Sequence, residues 1–136
     1  MERKVLFRGF SEDKNGSDRI YYYGNWIKGK WVFGSPIYQD NYVMIRWWDS
    51  WEFKYQEELV LSDTVAQFTG RHDVKGEKIW EKDIIRASDN NGSLLGTVVW
   101  NENAAQFMIG SSPFGIGEFA DFEMEVLGNI FSNHEL

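Results

Sequence analysis

Four carboxylates crowd one short stretch of the chain: Asp73, Glu77, Glu81 and Asp83. Two chemistries want such a cluster. Hard divalent cations take several oxygen ligands, and paired carboxyls can pass a proton. A structural role competes with both. Asp73 opens the loop Asp73-Val74-Lys75-Gly76, where an Asp side chain bonds nearby backbone amides and Gly is free to turn left-handed. Asp83 follows the polar link Glu81-Lys82 and begins the run Asp-Ile-Ile-Arg, where freed backbone donors need an acceptor. Both aspartates therefore read as structural. Asp83 is expected to accept from turn amides near Thr69-Gly70 or Gly76, and no metal site is assigned.

Other catalytic candidates are weaker. The two histidines, His72 and His134, lie in a loop and in the tail, and neither has a nucleophile at a recognisable spacing. Both read as solvated polar residues. The stretch Gly110 to Gly117, GSSPFGIG, superficially resembles a phosphate loop but lacks the Lys-Ser/Thr pair, so it reads as a flexible loop. Asp13-x-Asn15-Gly16 and Asp89-Asn90-Asn91-Gly92 lack the alternation and closing Glu of a calcium loop, so both are turns. No catalytic residue, cofactor site or small-molecule substrate emerges, and the chain reads as a non-enzyme.

The aromatics give a different signal. Trp47 and Trp48 are adjacent, and Trp51 follows closely. In a strand, neighbours point to opposite faces, so three such residues are too many to face one way. An outward Trp beside Arg46 suits a protein contact, because Trp and Arg are enriched at interface hot spots. It would also suit stacking of single-stranded nucleic acid, or simply a core covered on both faces. Arg46, Trp47, Trp48 and Trp51 together form the candidate interaction surface.

The elements that must position these residues are short. Apolar and polar residues alternate in bursts, with no sustained helical period. Pro is scarce and Gly plentiful, at 2 and 13 residues, which suits many strands joined by tight turns. Val5 to Phe10 reads as a first strand buried on both faces, and Ser11 to Asp18 as a polar loop. Asn25 to Tyr38 reads as a hairpin reversing at Lys28-Gly29-Lys30, with Gly29 supplying positive φ. Tyr42 to Trp47 and Trp51 to Tyr55 are strands. The second half begins near Ser62. Lys78 to Trp80, Asp83 to Arg86, Leu95 to Trp100, Gln106 to Ile109 and Glu123 to Phe131 follow as further strands. Short strands of this kind close into a small SH3-like barrel, leaving few edges. Trp80 and Trp100 are expected to lie buried and close together in it. The predicted architecture is mainly β: an N-terminal meander lobe over 1–62 and a C-terminal barrel lobe over 63–136.

The chain has no cysteine, which removes disulfides and thiolate metal sites. No run approaches the roughly 20 apolar residues of a membrane span, and no signal peptide is evident. The expectation is a cytoplasmic protein. With 21 acidic and 14 basic residues the net charge is −7, which disfavours nonspecific binding to phosphate backbones.

One order of residues is distinctive. It runs Thr69-Gly70, then Asp73-x-x-Gly76, then Ile79-Trp80-Glu81-x-Asp83-Ile84-Ile85, and closes with Gly128-Asn129-Ile130-Phe131. This resembles the signature of the YopX family of bacteriophage and prophage proteins. The resemblance implies the same barrel for the second half. It implies no activity, because the family's members lack an established one. The family pattern carries Gly before the second Asp, whereas this chain has Lys82. That departure implies either that the kink there does not demand positive φ or that it is strained. Residues and resemblance together predict a non-catalytic protein-interaction or self-assembling module of phage origin, with a protein partner or a second copy as its ligand. A nucleic-acid-binding small barrel is the alternative.

Overall fold

The computed structural model describes residues 5–110 and 122–132. Eleven strands account for most of them, and a single 3-10 turn at Ser62–Thr64 is the one helical element among the described residues. The chain divides into two compact units, Met1–Gln67 and Phe68–Leu136, rather than after residue 62.

In the first unit, β1 (Phe7–Glu12), β2 (Asp18–Tyr22), β3 (Asn25–Tyr38), β4 (Val43–Asp49) and β5 (Lys54–Val60) pair antiparallel. The order runs β5-β4-β3-β1, with β2 on the first half of β3. The strand β6 (Ala66–His72) starts beside β1 through Phe7↔Gln67 and Arg8↔Ala66. Alternation sends Val32, Val43, Ile45 and Val60 to one inner face, where Val65 joins them. Phe10 and Ile20 are fully buried, and Phe10 packs edge-on against Trp31 at 5.2 Å. The buried hydroxyl of Thr64 accepts from the Phe10 amide at 2.8 Å and donates to the Leu61 carbonyl at 2.6 Å. That hydroxyl ties the 3-10 turn to β1.

The expected hairpin at Lys28-Gly29-Lys30 is not there. The residues Asn25–Tyr38 form one continuous strand, and the reversal falls earlier, at Tyr23-Gly24. Trp26 pairs with Tyr21, not with the Trp31 region. Gly29 is a strand residue required for close approach, because a Cβ there would run into the Ser11 carbonyl and the Phe10 ring. The physical reason for the miss is that glycine serves both turns and tight crossings. The strand expected at Trp51 to Tyr55 also differs. Trp51 sits in the turn, where the Asp49 carboxylate accepts from the Trp51 and Glu52 amides, and β5 begins only at Lys54.

In the second unit, β7 (Lys78–Trp80) pairs with the end of β6 through Phe68↔Trp80 and His72↔Lys78. The strands β8 (Asp83–Asp89), β9 (Gly92–Asn101), β10 (Gln106–Ile109) and β11 (Glu123–Asn129) form a four-stranded sheet in the order β10-β9-β8-β11. Ile79, Ile85, Ala87, Val98, Phe107, Ile109 and Met124 make its core. Among the described residues this sheet is open, with β10 and β11 at its edges, so the expected closure into a barrel is not found. Most of the glycine-rich stretch Gly110 to Gly117, and His134, lie outside the described residues.

Trp80 is buried against Phe68, with ring centres 5.7 Å apart. Trp100 corrects the expectation made for it: it is 43% exposed and packs on Phe107. Both runs end in Trp, and Trp100 shares the face of the fully buried Val98, opposite Phe107, but it stands near the end of β9 against the edge strand β10 and outside the core cluster. Trp80→Ala should therefore cost roughly 3–5 kcal/mol of unfolding free energy. Trp100→Ala should cost clearly less. Equal losses in a urea melt would place Trp100 in the core after all.

Candidate functional site

Two regions carry the residues that the sequence singled out. The first is the signature motif of the second unit. Asp73 is 7% exposed and is surrounded by backbone donors. One carboxylate oxygen accepts from the Lys75 and Glu77 amides at 2.9 and 2.8 Å. The other accepts from the Val126 amide on β11 at 3.0 Å. Beside it, the Val74 amide donates to the Met124 carbonyl at 2.8 Å. Burial opposes the charge on Asp73. The amides of Val126, Glu77 and Lys75, with the Lys75 ammonium, outweigh it and hold the carboxyl below the usual carboxylate range. Gly76 completes the loop at φ +84, and Gly70 lies at φ +87. The Thr69 hydroxyl donates to the Ile79 carbonyl at 2.7 Å and accepts from the Arg71 amide at 3.2 Å.

Asp83 is buried, and it accepts from the Trp80 amide at 2.8 Å. This donor lies three residues back on the same turn, not at Thr69-Gly70 or Gly76. Between them Lys82 stands at φ +73, so the kink does require the left-handed region, and a residue with a Cβ occupies it. Lys82 is fixed there by its amide on the Val98 carbonyl and by the Ile130 amide on its own carbonyl. Among the described residues no group of three or more His, Asp or Glu side chains is arranged to hold a metal ion.

The second region is the outer face of β3, β4 and β5. Its register is Ser35↔Arg46 and Ile37↔Met44 on one side of β4. On the other side it is Met44↔Leu59, Arg46↔Glu57 and Trp48↔Tyr55. Residues directly opposite share a face, so Met44, Arg46 and Trp48 project outward together with Leu59, Glu57 and Tyr55. Trp48 is 48% exposed and packs edge-on against Phe53 and Tyr55, at 5.3 and 5.0 Å. The Arg46 guanidinium lies 4.1 Å over the Tyr55 ring and 3.7 Å from the Glu57 carboxylate. At the end of this face the turn presents Trp51, 96% exposed, and Phe53, 80% exposed. The turn is shaped by Asp49. The Glu52 amide foremost, then the Gln56 side-chain amide, hold the Asp49 carboxyl below its ordinary value.

Alternation splits the four residues that the sequence grouped. Arg46 and Trp48 share the outer face, and Trp51 caps it. Trp47 faces the other way and is half-buried against the Val43-Ile45-Val60 core. It also lines an open groove of about 370 Å³ with Lys30, Trp31, Val32, Phe33 and Glu58, where Lys30 and Glu58 pair at 3.3 Å. The sequence missed Tyr55, Leu59 and Phe53. The signal was present in the alternation of Lys54–Val60, where Tyr55, Glu57 and Leu59 fall on one side. Among the described residues, no helix is long and apolar enough to cross a membrane.

An antiparallel all-β chain with an Asp-anchored turn in one unit and an aromatic sheet face in the other defines a class of small β protein. A family model described as YopX protein matches residues 7–136, and the chain belongs to that family. No curated protein matches it.

Two outcomes follow from the motif. Because its folded-state pKa is depressed, Asp73 contributes stability that is fully present above the unfolded-state value of about 3.9. That contribution is lost as pH falls from there through the folded-state value. Asp73→Asn should destabilise the protein at neutral pH by about 1.5–3 kcal/mol, the worth of hydrogen bonds to a charged group. The gap to the parent should narrow in denaturant titrations as pH falls below about 4. A gap that stays constant would show that the charge contributes nothing.

Lys82→Gly should be neutral to slightly stabilising, since about 1 kcal/mol of left-handed strain is relieved against greater freedom in the unfolded chain. Lys82→Val should lower the melting temperature. The reverse order would show that the side chain, not the backbone, sets this position.

Proposed function

We propose that this protein is a non-catalytic protein-interaction module of phage or prophage origin, acting in the cytoplasm through the outer face of β3, β4 and β5. The observation that supports this reading most is the composition of that face. Trp48, Trp51, Phe53, Tyr55 and Leu59 all stand substantially exposed around a central Arg46. Exposed apolar patches of this kind mark contact surfaces in soluble proteins, and the aromatic and Arg content is that of interface cores. The aromatic rings already pack on one another, so little freedom is left to lose on binding.

A second reading, single-stranded nucleic acid, has one observation in its favour. Cross-strand pairs Arg19↔Lys28 and Tyr21↔Trp26 place two cations and two aromatics on one side of the β2–β3 hairpin. The Arg19 guanidinium lies 5.0 Å over the Trp26 ring. This pattern suits a stacked, charged strand, but the net charge of −7 opposes it.

A photo-crosslinking amino acid in place of Tyr55 tests both in cells. Protein adducts that disappear with Trp48→Ser are the expected result. Absence of any adduct at Tyr55 would sink the proposal. Oligonucleotide mobility shifts at low salt that weaken with Trp26→Ala would favour the second reading instead.

A further inference from the structure

We infer that the partner of this face is a second copy of the same chain, docked about a two-fold axis that runs along the strands between β4 and β5. The inference rests on the interaction-module reading and commits it to one occupant.

The register carries the argument. Across β4 and β5, Met44 is opposite Leu59, Arg46 opposite Glu57, and Trp48 opposite Tyr55. Each pair is matched within itself: aliphatic with aliphatic, cation with anion, aromatic with aromatic. A two-fold axis parallel to the strands, midway between β4 and β5 and above the face, keeps position along the strands and exchanges the two strands. It therefore sets β4 of one copy over β5 of the other at the same level. Met44 then meets the partner copy's Leu59, Arg46 its Glu57, and Trp48 its Tyr55. Every contact is chemically complementary and occurs twice, as an isologous interface requires. The strands of the two faces lie nearly aligned, which is the preferred geometry for sheets packed face to face.

The turn between the strands lies on the same axis. Its two most exposed side chains, Trp51 and Phe53, would meet their own copies there and extend the apolar contact beyond the strands. The charges on this face also select the occupant. Arg46 and Glu57 balance, so the face carries no excess that would attract a strongly charged partner. A surface whose cation and anion are adjacent across one strand pair is complementary to itself.

Sedimentation of the full chain over a wide concentration range tests this with three proteins: the parent, Arg46→Glu and Glu57→Arg. The parent should reach a dimer. Each single reversal places like charges opposite one another twice per dimer and should weaken dimerisation at least about tenfold. Mixing the two variants should restore a dimer. Each variant keeps its own like-charge pair within the chain, so recovery on mixing can come only from contacts between chains. Circular dichroism should show all three folded.

A parent that dimerises while the mixture does not recover would overturn the two-fold arrangement. A parent that stays monomeric throughout would overturn the dimer. If Tyr55 photo-adducts to other proteins then persist and depend on Trp48, the module reading stands with a different partner. If they too are absent, both fall.

Discussion

Asp73 presents two carboxylate oxygens to three backbone amides that come from two distant places in the chain. The loop amides of Lys75 and Glu77 would otherwise be donors without acceptors in a tight turn, and the Val126 amide lies where the register of β11 shifts between Val126 and Gly128. A shift of register leaves a ladder donor unpaired, and unpaired donors near a core are costly. One buried charge answers all three. That is why the motif is specific about residue type: Asn offers only one accepting oxygen, and Glu would carry the carboxylate one bond too far from the turn.

The first unit is governed by a different rule, the two-residue period of the strand. The same period that seats Val43, Ile45 and Trp47 toward the inner valines forces Met44, Arg46 and Trp48 outward. An exposed Trp on β4 is thus partly the geometric consequence of a good core. What the period does not explain is the choice of aromatic and aliphatic residues at the outward positions of β5 and in the turn. Tyr55, Leu59 and Phe53 could be polar without disturbing the inner face, and that surplus is what points to a contact.

The β class, most strand positions and the Asp73 loop were legible because they rest on local patterns: alternation, Gly and Asn in turns, and Asp beside its own amides. The β2–β3 hairpin was not. Gly29 and Gly24 are the same residue type, and only the Phe10 ring and Ser11 carbonyl decide that Gly29 is a crossing and not a turn. Those atoms lie on another strand. The fate of the tryptophans shows the same limit. Sequence says that Trp47 and Trp48 point apart, but only the position of the valine core says which one is inside. Trp100 shows another limit: it shares Val98's face, but the core ends before it reaches the end of β9, beside the edge strand β10. The acceptor role of Asp83 was foreseen and its donor was not, since the left-handed Lys82 folds the chain back onto the Trp80 amide.

The contacts that close each unit also differ in when they become available during synthesis. In the first, the Thr64 hydroxyl meets the Phe10 amide across 54 residues, so that contact can form once the 3-10 turn has left the ribosome. In the second, Asp73 waits 53 residues for Val126, on the last of the described strands. Until that strand emerges, a charged carboxylate and a growing open sheet have no closure. Folding dominated by such non-local pairing is slow and leaves strand edges exposed in the meantime. For the nascent chain, the vulnerable interval is the translation of the segment between β10 and β11, and a ribosome paused there would hold the second unit unfinished.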